Sequence, residues 1–163
     1  MTALNFEDRD GLIWYNGHLI DWRDANFHVL SHALHYASSV FEGQRAYGGK
    51  IFKLHQHSER LIQSGKLLGF DVPYSSNELD AASNEAVAAN NLVDAYVRPI
   101  AWRGSEKMGV ATAGTKIHLA VAAWEWPSYF GKEAKINGLR LEIAQWRRPA
   151  PDTAPAASKA AGL

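Results

Sequence analysis

Asn16-Gly17 constrains this chain more than any other pair of residues. It lies between two short apolar runs, 12–15 and 18–20. A two-residue type I′ turn needs positive φ at both central positions, and Asn followed by Gly meets that need at the least steric cost. The chain is therefore expected to open on an antiparallel hairpin. Gly48-Gly49 repeats the signal between the runs 40–47 and 50–54. Two early hairpins commit the fold to an antiparallel sheet.

Helical periodicity follows. Over 58–70, Leu61, Ile62, Gly65 and Leu68 share one side while Glu59, Gln63 and Lys66 face out. Asp71-Val72-Pro73 is expected to stop that helix. Ser75 with Glu78 three residues later has the form of a capping box. Leu79, Ala82, Ala86 and Ala89 then mark a second helix to about residue 91. Three strands are expected next. The first is 95–102, where Pro99 argues for an edge position or a bulge. The second is 116–126, apolar enough to be buried on both faces, and the third is the alternating run 139–143. Residues 21–26 read as a loop, and 28–36 as a helical turn. The class expected is α+β, an antiparallel sheet with two helices packed on it.

Length and charge narrow the function. A chain of 163 residues supports one domain with a real core. Equal numbers of acidic and basic residues, 17 each, argue against a polyanionic or membrane-surface partner. No cysteine means no disulfide framework, no thiolate nucleophile and no cysteine metal site, which suits a cytoplasmic protein. Residues 148–155 hold three prolines, the composition of a linker. The expected division is a domain over 1–147, with 148–163 as linker and the start of a second domain. The tail is expected to be loose and free to fray.

Candidate sites are judged against their ordinary structural roles. His28, His32 and His35 would share a helix face, but no carboxylate matches them, so no metal is expected. Gly43 to Lys50 has the wrong glycine spacing for a phosphate loop. Arg60 could be a solvated helix charge or, with its planar fork of donors, a phosphate ligand. Tyr96 and Arg98 alternate on a strand and so share a face, where they could clamp a carboxylate. Trp124, Trp126 and Tyr129 concentrate aromatic surface at a strand end, as core or as pocket wall. Lys159 sits in Ala156-Ala157-Ser158-Lys159-Ala160-Ala161-Gly162. Small neighbours let a bulky group approach its amine, as a lysine that binds an aldehyde requires. The local sequence nevertheless favours the ordinary reading, an exposed lysine at an alanine-rich helix start with Pro155 near its first turn.

Taken together, these stretches resemble a known family. His32-Ala33-Leu34-His35-Tyr36-Ala37-Ser38-Ser39-Val40-Phe41-Glu42-Gly43 is similar to the N-terminal signature of the branched-chain amino acid aminotransferases, fold-type IV pyridoxal phosphate enzymes. The likeness continues through His57-Ser58-Glu59-Arg60-Leu61, Ala95-Tyr96-Val97-Arg98-Pro99 and Trp126-Pro127-Ser128-Tyr129-Phe130-Gly131, and ends on Ser158-Lys159-Ala160-Ala161-Gly162. The order and spacing hold over nearly the whole chain. The resemblance implies pyridoxal 5′-phosphate held as a Schiff base on Lys159, with Arg60 on its phosphate. It implies Tyr96 orienting the substrate carboxylate and Arg98 meeting the distal carboxylate of glutamate. Phe41, Trp126 and Tyr129 become walls of the side-chain pocket, Gly43 its floor, and Tyr36 a residue given across a dimer interface. The implied substrates are leucine, isoleucine and valine with 2-oxoglutarate, in a homodimer or higher homo-oligomer. The family continues for about another domain, so this chain is expected to be a truncated form with little activity alone. A D-amino acid transaminase or an aminodeoxychorismate lyase shares the fold and the lysine. A non-catalytic assembly domain is the alternative from another class.

Overall fold

The computed structural model describes residues 5–126 and 132–163. Strands β1 (Leu12–Tyr15) and β2 (His18–Asp21) form the first hairpin, closed at Asn16 and Gly17, both at positive φ. A short 3-10 turn, Trp22–Asp24, and helix α1 (His32–Tyr36) follow. Next come β3 (Ser39–Phe41), β4 (Gln44–Tyr47) and β5 (Lys50–Ile51), then helices α2 (Leu54–Leu67) and α3 (Ser76–Ala89). The long strands β6 (Ala95–Arg103) and β7 (Ile117–Glu125) lead to a six-residue helix α4 (Lys132–Asn137).

The seven strands form one antiparallel sheet in the order β2-β1-β7-β6-β4-β5, with β3 also paired to β6. Helices α2 and α3 cover one face. There Leu61, Leu79, Ala86, Val97, Leu119 and Val121 make the main core. The opposite face carries a smaller cluster of Ile13, Trp22, Trp102 and Ala120. Above it lies an apolar hollow of about 520 Å³, lined in part by Tyr15, Phe27, Ile100 and Ala122. The expected architecture of antiparallel sheet and two packed helices is the observed one.

Pro99 does not mark an edge. Strand β6 is interior, and Pro99 pairs in regular register with Val121 of β7. On its other side β3 and β4 share a single register against β6, so no residue is bulged out. The Pro99 carbonyl accepts the Glu42 amide at 2.8 Å. The backbone N of a strand residue points to the same side as its carbonyl, so the donor that proline lacks is the one that would have answered Glu42. The cost is confined to one ladder bond, and it separates β3 from β4 at Glu42 and Gly43.

Other boundaries also differ from expectation. Helix α2 begins at Leu54 rather than Ser58, because Lys53 takes a left-handed conformation (φ 54°) that turns the chain directly out of β5. It ends before the Asp71-Val72-Pro73 stretch. Gly69, at φ 76°, donates to the Lys66 carbonyl, and Phe70 donates to the Gly65 carbonyl. That pair of bonds is a Schellman motif. Ser75 and Glu78 form the capping box: the Glu78 amide donates to Ser75 Oγ at 3.3 Å, and the Ser75 amide donates to Glu78 Oε2 at 2.7 Å. Residues 139–143 are not a strand. They pair with nothing among the described residues, and Ile143 is 95% exposed.

The tail is not loose. Val40 of β3 and Ala160 form an antiparallel bridge. The Phe41 amide donates to the Lys159 carbonyl at 3.1 Å, and the Ala161 amide to the Ser39 carbonyl at 3.0 Å. Residues 158–161 thus act as a short extra strand beside β3, with Ser158 and Ala160 buried.

Candidate active site

Helix α2 and the docked tail build the first half of the site. Ser64 sits on the buried side of α2. Its carbonyl accepts Ser158 Oγ at 2.9 Å, and its hydroxyl accepts the Lys159 amide at 3.1 Å. Lys159 is therefore clamped by main-chain bonds on both flanks, from β3 and from α2. Its Nζ lies 4.8 Å from the centre of the Phe41 ring. No carboxylate pairs with it among the described residues. One turn before Ser64, Arg60 lines the same cleft of about 290 Å³ together with Lys159, Phe41, Arg148 and Ala157.

The Arg60 guanidinium is held from behind. Glu42, with a side chain 0% exposed, accepts Arg60 Nε at 2.5 Å and Arg60 Nη2 at 2.6 Å. His57 Nδ1 lies 2.9 Å from Glu42 Oε2. An ionised carboxylate only accepts, so Nδ1 carries the hydrogen in this contact. Burial pushes the Glu42 carboxyl up. Hydrogen bonds from Arg60 and His57, and their charges, outweigh it and hold the carboxyl below the usual carboxylate range. The Glu42 hydrogen bond in turn raises the Arg60 pKa. The Nη1 edge of Arg60 has no partner among the described residues.

The second half of the site lies on the open face of the sheet, beyond Phe41. Arg98 stands over the other residues of this group: its Cζ is 4.7 Å from the Phe41 ring centre, and its Nη2 donates to the Tyr96 hydroxyl at 2.8 Å. Its Nε is buried without a partner among the described residues. The Tyr96 ring leans on Trp124 at 5.0 Å and on Trp126 at 5.7 Å. Arg45 fixes the end of β7 by donating to the Trp126 carbonyl at 3.1 Å. Gly43 is a place where only hydrogen fits, because a Cβ there would run into the Tyr96 hydroxyl.

The structure thus brings together Phe41, Gly43, Arg60, Tyr96, Arg98, Trp126 and Lys159. Tyr36 stands apart, its ring against His32 at 4.5 Å and its side chain half open to solvent. Tyr129 lies outside the described residues. The three histidines do not converge: His28 precedes α1, His32 Nδ1 bonds Ser38 Oγ, and His35 Nε2 donates to the Val29 carbonyl. Sequence reasoning gave no role in the site to Glu42, His57, Ser64 or Arg148, although Glu42 and His57 fall within the quoted motifs. Ser64 carried a readable signal, since it falls one turn after Arg60 and beside the buried Leu61 and Gly65.

Pyridoxal phosphate would need an amine for its aldehyde and a cation for its phosphate. The residues present fit both demands. Among the described residues Lys159 is an amine without an acid, and Arg60 keeps an unused donor edge in the same cleft.

Comparison with known proteins agrees with this geometry. Residues 39–161 match the amino-transferase class IV family. The branched-chain-amino-acid aminotransferase of Pseudomonas aeruginosa is 45% identical over 149 residues, covering 89% of this chain and 48% of the relative. That of Escherichia coli K12 is 43% identical over 155 residues, covering 92% and 50%. Among solved structures, a T.th. branched-chain amino acid aminotransferase with pyridoxamine 5′-phosphate superposes with a TM-score of 0.88 at 40% identity, over 94% of this chain and 52% of that one. The E. coli enzyme gives 0.84 at 40% identity, over 94% and 52%. The chain spans about half the length of the curated relatives it matches. The family match covers strands β3 to β7 and the docked lysine strand, and the chain belongs to the class IV aminotransferase family.

Proposed function

We propose that this chain supplies the first part of the active site of a pyridoxal 5′-phosphate-dependent aminotransferase. Its substrates are leucine, isoleucine and valine, with 2-oxoglutarate as amino acceptor. The observation that carries the reading is the clamped Lys159, which meets no acid among the described residues and shares a cleft with Arg60. The names of the relatives add the branched-chain preference.

The cofactor, when bound, supplies an electron sink for the carbon that loses its proton. The remaining roles belong to the chain. Arg60 would hold the phosphate monoester with the donor edge that Glu42 leaves free. Lys159 would hold the cofactor through its amine and would serve as the base that moves the proton at the substrate Cα. Tyr96 orients the substrate carboxylate. Phe41 and Trp126 wall an apolar pocket over the Gly43 floor, and the family resemblance adds Tyr129 to that wall. Burying a branched aliphatic chain there is worth roughly 1.5–3 kcal/mol. The glutamate formed from 2-oxoglutarate brings a carboxylate into the same volume, which is costly unless it meets a donor. Arg98 Nε, buried without a partner among the described residues, is that donor. Tyr36 serves the site of a second copy in a homodimer. A cytoplasmic setting suits the cysteine-free sequence. The resemblance implies that the acid facing the ring nitrogen belongs to the length of the relatives that this chain does not span.

The test is chemical trapping. The chain is incubated with pyridoxal 5′-phosphate, reduced with borohydride, digested and mapped. The expected label is on Lys159, and Lys159→Ala is expected to abolish it. Label on surface lysines alone, or none, overturns the assignment.

A further inference from the structure

We propose that Glu42 is the positioning residue of the phosphate subsite, presenting Arg60 to the phosphate of the cofactor by holding the opposite edge of its guanidinium. The inference rests on the reading of Arg60 as the phosphate ligand. Three observations carry it.

The first is burial. Glu42 is fully enclosed, between the end of β3 and helix α2, and among the described residues its side chain is met by Arg60 and His57 alone. A carboxylate is kept in such a place only when its charge is met by strong donors. The second is edge selection. Arg60 gives Nε and Nη2 to the carboxylate, while its side chain remains 53% exposed and lines the cleft shared with Lys159. A planar fork bound along one edge can turn neither about its own axis nor away from the cleft, so Nη1 is presented in one direction before any ligand arrives. The third is backbone control. The Glu42 amide is tied to the Pro99 carbonyl at the gap between β3 and β4. The carboxylate is therefore referenced to the interior strand that also carries Tyr96 and Arg98, the candidate substrate clamp.

One physical effect opposes this. A carboxylate beside Arg60 cancels part of the charge that attracts a phosphate. If cancellation dominated, removing the Glu42 charge would tighten phosphate binding; if orientation dominates, it weakens it. His57 tips the balance toward orientation, because its Nδ1–H donates to the same carboxylate and takes up part of its negative potential.

The experiment compares dissociation constants of pyridoxal 5′-phosphate and of pyridoxal, which lacks the phosphate, for the unaltered chain, Glu42→Gln and Arg60→Ala. Glu42→Gln is expected to weaken pyridoxal 5′-phosphate about tenfold, as is typical of partners that orient a ligand-holding group, and to leave pyridoxal within about twofold. A merely structural defect would weaken both ligands alike and overturns the proposal, as does tighter phosphate binding by Glu42→Gln. Arg60→Ala separates the two levels. If it abolishes the preference for the phosphorylated ligand while Glu42→Gln keeps it, the role of Arg60 stands and that of Glu42 falls. If Arg60→Ala keeps the preference, the underlying reading falls. Should Glu42→Gln not fold, the Arg60 Nε–H resonance of the unaltered chain is followed as inorganic phosphate is added. Retention of its slow solvent exchange is expected, and its loss overturns the proposal.

Discussion

The main chains of Phe41 and Lys159 are hydrogen-bonded, the Phe41 amide donating to the Lys159 carbonyl at 3.1 Å, and Lys159 Nζ returns to lie 4.8 Å from the centre of the Phe41 ring. The amine is thereby tied to β3 through both backbone and side chain. The candidate pocket wall and the candidate nucleophile move together.

Ser64 should control how firmly that strand is docked. Ser64→Ala removes the acceptor of the Lys159 amide, a part-buried donor. Leaving such a donor unanswered costs about 1–3 kcal/mol. Urea unfolding is expected to show a loss of that order, and hydrogen exchange a selective loss of protection at the Lys159 amide. Unchanged protection there would contradict the clamp.

Gly43→Ala should disturb the aromatic platform. The new methyl group would meet the Tyr96 hydroxyl and break its bond to Arg98 Nη2. Overpacking of this kind typically costs about 1–3 kcal/mol. Tyr96 touches Trp124 and Trp126, so a change in tryptophan fluorescence is expected along with the lower stability. A spectrum identical to that of the unaltered chain would show that the site absorbs a methyl group.

Ser75→Ala should weaken α3 from its first turn, by about 1 kcal/mol. The hydroxyl answers the Glu78 amide, and Glu78 answers the Ser75 amide. Thermal unfolding is expected to fall by a few degrees, with the cleft around Lys159 unaffected. Arg60 and Ser64 lie on the other helix.

The contact between α2 and α3 should depend on pH. The hydrogen bond that His55 Nδ1 donates to the Asp80 carboxylate raises the His55 pKa above its ordinary value, against desolvation and with help from the charges of Asp80 and Glu59. A folded pKa above the unfolded one means that the contribution is fully present below about 6.5, the unfolded value. It is lost as pH rises through the folded value. His55 is exposed, so the effect on stability is small, but an NMR titration is expected to place its midpoint above that of a free histidine. Asp80→Asn should lower it, leaving only the weaker pull of Glu59. A midpoint indifferent to that substitution would remove Asp80 as the cause.

The sheet was legible because its signals are local. Asn16-Gly17 and Gly48-Gly49 specify hairpins by backbone conformation alone, and Ser75 with Glu78 specifies a helix start within four residues. The start of α2 was not legible, because Lys53 turns the chain by a left-handed conformation that no capping side chain announces. Alternation at 139–143 was real, but a strand also needs an edge to pair with, and no described edge reaches it. Lys159 was singled out by the motifs in register along the chain, since its small neighbours alone favour an exposed lysine, and its anchor could not be read at all. The bond to Ser64 joins residues 95 positions apart, and alanines advertise no pairing. Glu42 was hidden in the same way. Nothing local distinguishes a carboxylate that will meet Arg60 across the gap between sheet and helix.

Arg60 and Ser64 occupy successive turns of α2, separated along its axis by about 6 Å. One grips the buried acid, and the other grips the backbone of the lysine strand. A rigid rod with two such grips works as a caliper. Both things gripped belong to the sheet, since Glu42 follows β3 and the lysine strand pairs with β3. The rod therefore cannot slide along the sheet without opening one jaw or the other.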